Sequence, residues 1–206
     1  MGVVKRRETK PPRARLDVDE RRAQLLALGL DLFSERAYDA VSIDEIALAA
    51  GISKGLLYHY FPTKRDFYAA AIREASRQLL DCTRPDASAP PMERVHRVID
   101  AYLAYVERRG PAYSALMRGG IGSDPAVAAI VQETRDAFLD RLMQNVPAPA
   151  AGPELRVTLR GWIGFVEAAS LDWVERHEMK REALRDLCAE VLVQAISVAT
   201  RRAAAR

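Results

Sequence analysis

A chain of 206 residues with 49% hydrophobic content is long enough for two modest domains sharing an interface and apolar enough to bury a core. No apolar run approaches the eighteen or more residues of a membrane span, and the basic amino terminus lacks a following apolar segment, which argues against secretion and for the cytoplasm. Cys82 and Cys188 are too few and too far apart for a disulfide framework or a zinc site and read as buried or semi-buried thiols.

The formal charge of +3 is unevenly placed. Residues 1–65 hold 12 Lys/Arg against 9 Asp/Glu, whereas residues 66–206 hold 19 of each. All the excess positive charge therefore lies in the first third, as a phosphate-binding face requires. Residues 1–16 contain Lys5, Arg6, Arg7, Lys10, Arg13 and Arg15 around Pro11 and Pro12, a segment expected to be disordered when free. It reads either as an arm that follows the DNA backbone or enters the minor groove, or as a solvated basic tail. A first helix is expected from Asp17 or Asp19, with Arg22, Leu25, Leu26, Gly29, Leu30 and Phe33 on one stripe.

The segment SIDEIALAAGISKGLLYHYFPTKR, residues 42–65, reads as two short helices at a tight turn. Ser42 and Glu45 make a capping box, and Ile43, Ile46, Ala47 and Ala50 fall at i, i+3, i+4 and i+7, one buried face. Gly51 supplies a left-handed turn. Ser53 caps a second helix that carries Lys54, Gly55 and Leu56 outward and is anchored by Leu57 and Phe61. Pro62 ends it and Thr63 caps the next helix. Helix, glycine turn, helix is the helix-turn-helix plan, whose second helix enters the major groove of DNA.

Residues 20–67, and above all AGISKGLLYHYFPTK from Ala50 to Lys64, resemble the DNA-binding domain of the TetR family of bacterial one-component regulators. Two positions depart from the family pattern. Ala37 stands where a glycine usually stops the first helix, at a cost of about 1 kcal/mol if the site is left-handed. Leu56 stands where threonine is commoner, which is expected to change base preference. The partner is then double-stranded operator DNA. Lys54, Gly55, Leu56 and His59 are expected at base edges, and Ser42, Tyr58, Tyr60 and Lys64 at phosphates, with Ser53 capping the reading helix.

A helix over about 64–81 leaves this unit as a lever between domains, and residues 82–91 form a break. A helix over 92–109, ended by Gly110 and Pro111, is followed by a short helical segment and the interruption GGIGS at 119–123. Asp124 and Pro125 start a helix that runs to about Asn145. After a linker at 146–153, two helices are expected at 154–176 and 180–202. The last is apolar around most of its circumference and needs cover on more than one side. A second copy is the expected cover, in an intermolecular four-helix bundle that uses Gly161, Gly164, Ala168, Leu184, Leu187, Val191 and Ala195. The alternative is a fully internal helix in a monomer.

His59, His96 and His177 are scattered, and GGIGS lacks the strand, lysine and helix context of a phosphate loop. With no catalytic constellation in view, neither an enzyme nor a metal or cofactor is expected. Tyr102, Tyr113, Met117, Trp162 and Phe165 read either as plain core or as the lining of an apolar pocket between helices. The family resemblance favours the pocket, since TetR-family proteins usually bind a small effector in their second domain.

The expected fold is all-α, with a three-helix DNA-binding domain at 1–65 and a helical effector-binding and dimerisation domain at 66–206. The expected function is sequence-specific transcriptional regulation, as a homodimeric, ligand-responsive repressor on a palindromic operator, answering to a small, mainly apolar effector. Alternatives are an activator of the same family, or a helical small-molecule carrier or sensor without DNA activity.

Overall fold

The computed structural model describes residues 18–118, 124–145 and 152–204. The basic arm, the GGIGS interruption and residues 146–151 of the last linker lie outside the described residues. Among the described residues the regular structure is all helical. In chain order the elements are α1 (Val18–Glu35), a single 3₁₀ turn (Tyr38–Ala40), α2 (Ile43–Ala49), α3 (Lys54–Tyr60) and α4 (Lys64–Cys82). There follow α5 (Pro91–Arg108), α6 (Gly110–Met117), α7 (Pro125–Gln144), α8 (Pro153–Arg176) and α9 (Arg181–Ala204).

Side chains close the helix starts where the sequence places caps. The Glu45 amide donates to Ser42 Oγ at 3.1 Å, and the Ser42 amide donates to Glu45 Oε2 at 2.7 Å. Ser53, Thr63 and Asp124 cap α3, α4 and α7 with one side-chain oxygen each, accepting from the Leu56, Asp66 and Ala126 amides. Gly51 takes φ +62°, a conformation that would strain any side chain. Ala37, by contrast, is extended at φ −62° and ψ 152°. The missing glycine therefore costs nothing, because the chain leaves α1 through the 3₁₀ turn and not through a left-handed residue. Gly110 and Pro111 open α6 as its first two residues, in positions where proline's absent N–H is not needed.

The first core joins Leu25, Leu30 and Phe33 of α1 to Ile46 of α2, Leu57 of α3 and Phe67 of α4. It does not stop at residue 65. Val127 and Ile130 of α7 belong to it, and Leu116 of α6 packs on it, so the amino-terminal part of α7 supports the reading unit. A second core sets Ile99 and Leu103 of α5 against Val166 and Trp173 of α8 and Leu184 and Cys188 of α9. A third sets Leu139 of α7 against Leu155, Leu159 and Ile163 of α8 and Leu192 and Ala199 of α9. Leu184, 2% exposed, is thus committed inside its own chain and not to the expected dimer face. Cys188 is buried, whereas Cys82 is exposed.

The lever α4 is tied along its length. Arg65 Nη2 donates to Asp124 Oδ1 at 2.9 Å, and Arg73 pairs with Glu133 at 2.7 Å, both linking α4 to the start or middle of α7. Further along, Tyr105 Oη donates to the Ala75 carbonyl at 2.7 Å, and Arg141 Nη1 donates to the Leu80 carbonyl at 2.7 Å.

Candidate DNA-reading unit and ligand cavity

Leu57, fully buried, and Phe61 hold α3 from below. Helical spacing then turns Lys54, Gly55, Leu56, Tyr58 and His59 outward, and all five are exposed. A Cβ at Gly55 would meet nothing within 4 Å. The fold itself has no need of glycine there, and the bare backbone leaves room for a surface approaching from outside. Lys54 Nζ crosses to α2 and pairs with Asp44 Oδ1 at 2.9 Å. The hydrogen bond and then the charge of Asp44 raise its pKa. Lys64 lies with Nζ 4.0 Å from the centroid of the Tyr38 ring, a cation–π contact that holds it at the start of α4.

The charge of this unit is less positive than that of the first third as a whole. Residues 18–65 carry 6 Lys/Arg against 7 Asp/Glu, so the surplus sits in residues 1–17, with 6 Lys/Arg against Glu8 and Asp17.

Next to the unit lies a cavity of about 400 Å³, within the roughly 300–1,000 Å³ of small-molecule sites. One wall is α4, through Ile72, Ala75 and Leu79, and the aromatic lining is Tyr102, Tyr105, Tyr113, Phe138 and Trp162. Several polar groups facing it are already engaged. Tyr102 Oη lies 2.9 Å from Tyr113 Oη, which donates to the Glu167 carbonyl at 3.3 Å. Trp162 Nε1 donates to the Cys188 carbonyl at 2.9 Å. Arg135 Nε donates to both carboxylate oxygens of Glu167, at 2.9 and 3.0 Å. Burial pushes the Tyr102 and Tyr113 hydroxyls above the ordinary phenol value, so they remain protonated donors at neutral pH. Among the described residues no group of three or more His, Cys, Asp or Glu is placed to hold a metal ion, and no helix is long and apolar enough to cross a membrane.

Residues 25–71 match the profile of bacterial regulatory proteins of the tetR family, and residues 91–195, half of the chain, match the tetracyclin repressor-like C-terminal domain. The chain belongs to the TetR family. Its family is one of DNA-binding transcriptional regulators. A crystal structure of a tetR-family transcriptional regulator from Streptomyces coelicolor has a TM-score of 0.80 and 35% identity, covering 92% of this chain and 90% of that one. The HTH-type transcriptional repressor KstR2 of Mycobacterium tuberculosis is 34% identical over 149 residues, 69% of this chain and 74% of the relative. The HTH-type transcriptional activator FasR of Mycolicibacterium smegmatis is 31% identical over 134 residues, 64% of this chain. That match spans 61% of FasR, less than two thirds of its length.

Within this TetR-family fold, Ser53, Lys54, Gly55, Leu56, Tyr58 and His59 share the exposed side of α3 and its cap. Ser42 is exposed with its hydroxyl in the capping box, and Tyr60 is half-buried against the first core. Tyr102, Tyr113, Met117 and Trp162 line the cavity. Phe165 does not, and packs beside the Ile99–Leu103 core instead. Leu159, Trp162, Ile163 and Val166 define the cavity side of α8, and Phe165 lies off that stripe at helical spacing. The sequence pattern did not single out Arg94, Arg135 or Arg141, all of which line the cavity. A signal was present in α7, where Arg135 and Arg141 interrupt the otherwise apolar stripe Val131, Phe138, Leu142.

Proposed function

We propose that this regulator is a homodimeric, ligand-responsive repressor: the dimer occupies a palindromic operator, and a small, mainly apolar effector in the cavity lowers operator affinity. The observation that carries this reading is the double duty of α4. Its Phe67 closes the core that holds α3, and its Ala75 and Leu79 line the cavity. A ligand pressing on the second part moves the first. In a two-fold dimer the reading helices must meet successive major grooves, with half-site centres about 34–36 Å or a multiple apart. Rotation of either unit spoils that spacing.

The exposed surface supports the dimer. Val157 is 72% exposed, and with Gly161, Gly164 and Ala168 it forms one strip along α8. A Cβ at Gly161 or Gly164 would meet nothing within 4 Å of its own chain, so the glycines have no internal use. Leu187 and Val198 leave a matching apolar exposure on α9, with half-buried Val191 and Ala195 beside them. Self-complementary packing of the two strips on a second copy covers both. On DNA, Lys54, Gly55, Leu56 and His59 face base edges, and Ser42, Tyr58, Tyr60 and Lys64 hold phosphates.

The test begins with genomic fragments selected for binding, which define the operator, and a thermal-shift screen of apolar compounds. Hits that raise the melting temperature and release the operator support the reading. Hits that raise it and leave operator affinity unchanged refute ligand-responsive release. Transcription from the operator-bearing promoter rises on loss of a repressor and falls on loss of an activator, the runner-up that FasR represents.

A further inference from the structure

Three arginines line the cavity, and they differ in company. Arg135 is neutralised by Glu167 at 2.9 Å. Arg94 and Arg141 have no carboxylate within ion-pair distance among the described residues. The acids whose charge reaches them are already paired with other arginines. Asp81, whose charge is felt by Arg141, pairs with Arg77 at 2.9 Å and Arg84 at 3.2 Å. Asp86, whose charge is felt by Arg94, pairs with Arg97 at 3.3 Å.

Arg141 is half-buried, with its guanidinium 5.9 Å from the centroid of the Phe138 ring. Its Nη1 donates to the Leu80 carbonyl and lies 3.4 Å from Thr83 Oγ1, while Nε and Nη2 have no acceptor among the described residues. Burial, followed by the neighbouring charge of Arg84, pushes its pKa down, as expected of a cation short of compensation. Around these two arginines the lining is Pro85, Pro91, Met92 and Asn145, which places both at the end of the cavity formed by the α4–α5 turn and the close of α7. The cavity is long in one direction. Its lining on α7 runs from Val131 to Asn145, on the order of 21 Å at 1.5 Å per residue.

We infer that the effector is an amphipathic anion, a long apolar chain ending in a carboxylate or phosphate, with its head on Arg141 and Arg94 and its chain in the aromatic cavity. This rests on reading the cavity as the effector site. A neutral apolar ligand would shut two cations in beside its own surface, whereas an anionic head supplies the missing charge and suits the fork geometry of guanidinium. The same head reaches the lever. Arg141 ties α7 to the Leu80 carbonyl and to Thr83 at the end of α4, so an anion that draws the guanidinium away loosens that tie and biases α4 toward a different position.

The test is calorimetric titration of the full chain with laurate, dodecyl phosphate and dodecanol, which share one chain and differ in the head. Wild type should bind at least one of the anions about tenfold or more tightly than dodecanol. The tighter of the two anions identifies the head. Arg141→Met and Arg94→Met should each shrink that preference while leaving dodecanol affinity within about twofold. The wild-type comparison needs no variant, so it decides even if one substitution fails to fold. Equal binding of all three by wild type overturns the anionic head and leaves an apolar effector standing. Failure of wild type to bind any of them overturns both. A preference that survives both substitutions overturns the arginine assignment.

Discussion

Gly29 is where helix propensity and packing pull in opposite directions. In a helix interior alanine is favoured over glycine by about 0.8–1.0 kcal/mol, so at an open site Gly29→Ala would stabilise. The site is closed. A Cβ there would stand 2.7 Å from Phe67 Cζ, 3.1 Å from its Cε1 and 3.5 Å from Ala71 Cβ. Carbon contacts settle at about 3.5–4.0 Å, so the ring must retreat by roughly 1 Å. Phe67 is fully buried, and its ring meets Phe61 at 5.0 Å and Phe33 at 5.9 Å, which leaves it little room. Overpacking of this kind costs about 1–3 kcal/mol, and the propensity gain reduces the net loss to about 0–2 kcal/mol. At this chain length 1 kcal/mol corresponds to about 2–4 °C in melting temperature. Urea and thermal unfolding of Gly29→Ala, Phe67→Leu and the double variant give the coupling directly. Gly29→Ala should melt below wild type, and the added methyl should cost less beside the smaller leucine. Operator affinity should fall as well, since Phe61 ends the reading helix. A Gly29→Ala chain that melts above wild type would refute the close approach of α1 and α4.

The two lysines of the reading unit should separate by role. Lys64→Ala should weaken operator and random DNA alike and reduce the salt slope by about one, whereas Lys54→Ala should change base preference. Fluorescence anisotropy across a salt series reads both, and equal losses on both DNAs for both variants would overturn the division. Charged residues at Val191 and Ala195 should put unpaired charge into a dry interface and yield monomer or unfolded chain on sedimentation. An intact dimer would move the interface elsewhere. The Ser42 amide and then the Arg36 guanidinium hold the Glu45 carboxyl down at about 2, so the folded chain binds fewer protons here than the unfolded one. That contribution is complete above pH 4.5 and is lost as pH falls toward 2. Glu45→Gln should therefore flatten the stability curve in that window, and an unchanged acid limb would remove Glu45 from it.

The reading unit was legible because its signals are local. Ser42 and Glu45, Gly51, Ser53 and Thr63 act within one or two turns of themselves, and each takes the conformation its chemistry dictates. The helices of the second half were legible for the same reason, with ends set by proline and the Asp124 cap. What the sequence did not reveal depends on contacts between distant segments. Val127 and Ile130 could not be assigned to the first core from their spacing, because the periodicity of α7 gives a face and not the neighbour it meets. Leu184 failed as an interface residue for a related reason. The apolar surface of α9 extends around the helix, and only packing against α5 and α8 decides which part is internal. Arg141 drew no notice in the sequence, because its partner, the Leu80 carbonyl at the end of α4, lies 61 residues away along the chain. Ala37 shows the converse, a family glycine that is dispensable here because a 3₁₀ turn does its work.

Ligand release of the operator through α4 is tested most directly by reciprocity. If a compound bound in the cavity lowers operator affinity tenfold, about 1.4 kcal/mol couples the two sites, and the operator must weaken that compound by the same factor. The measurement is calorimetric titration of one screening hit into the free protein and into the protein saturated with operator DNA, paired with operator titrations in the presence and absence of the hit. The two ratios should agree. A compound that binds free and operator-bound protein with the same affinity would show that the cavity and the reading helix are not linked.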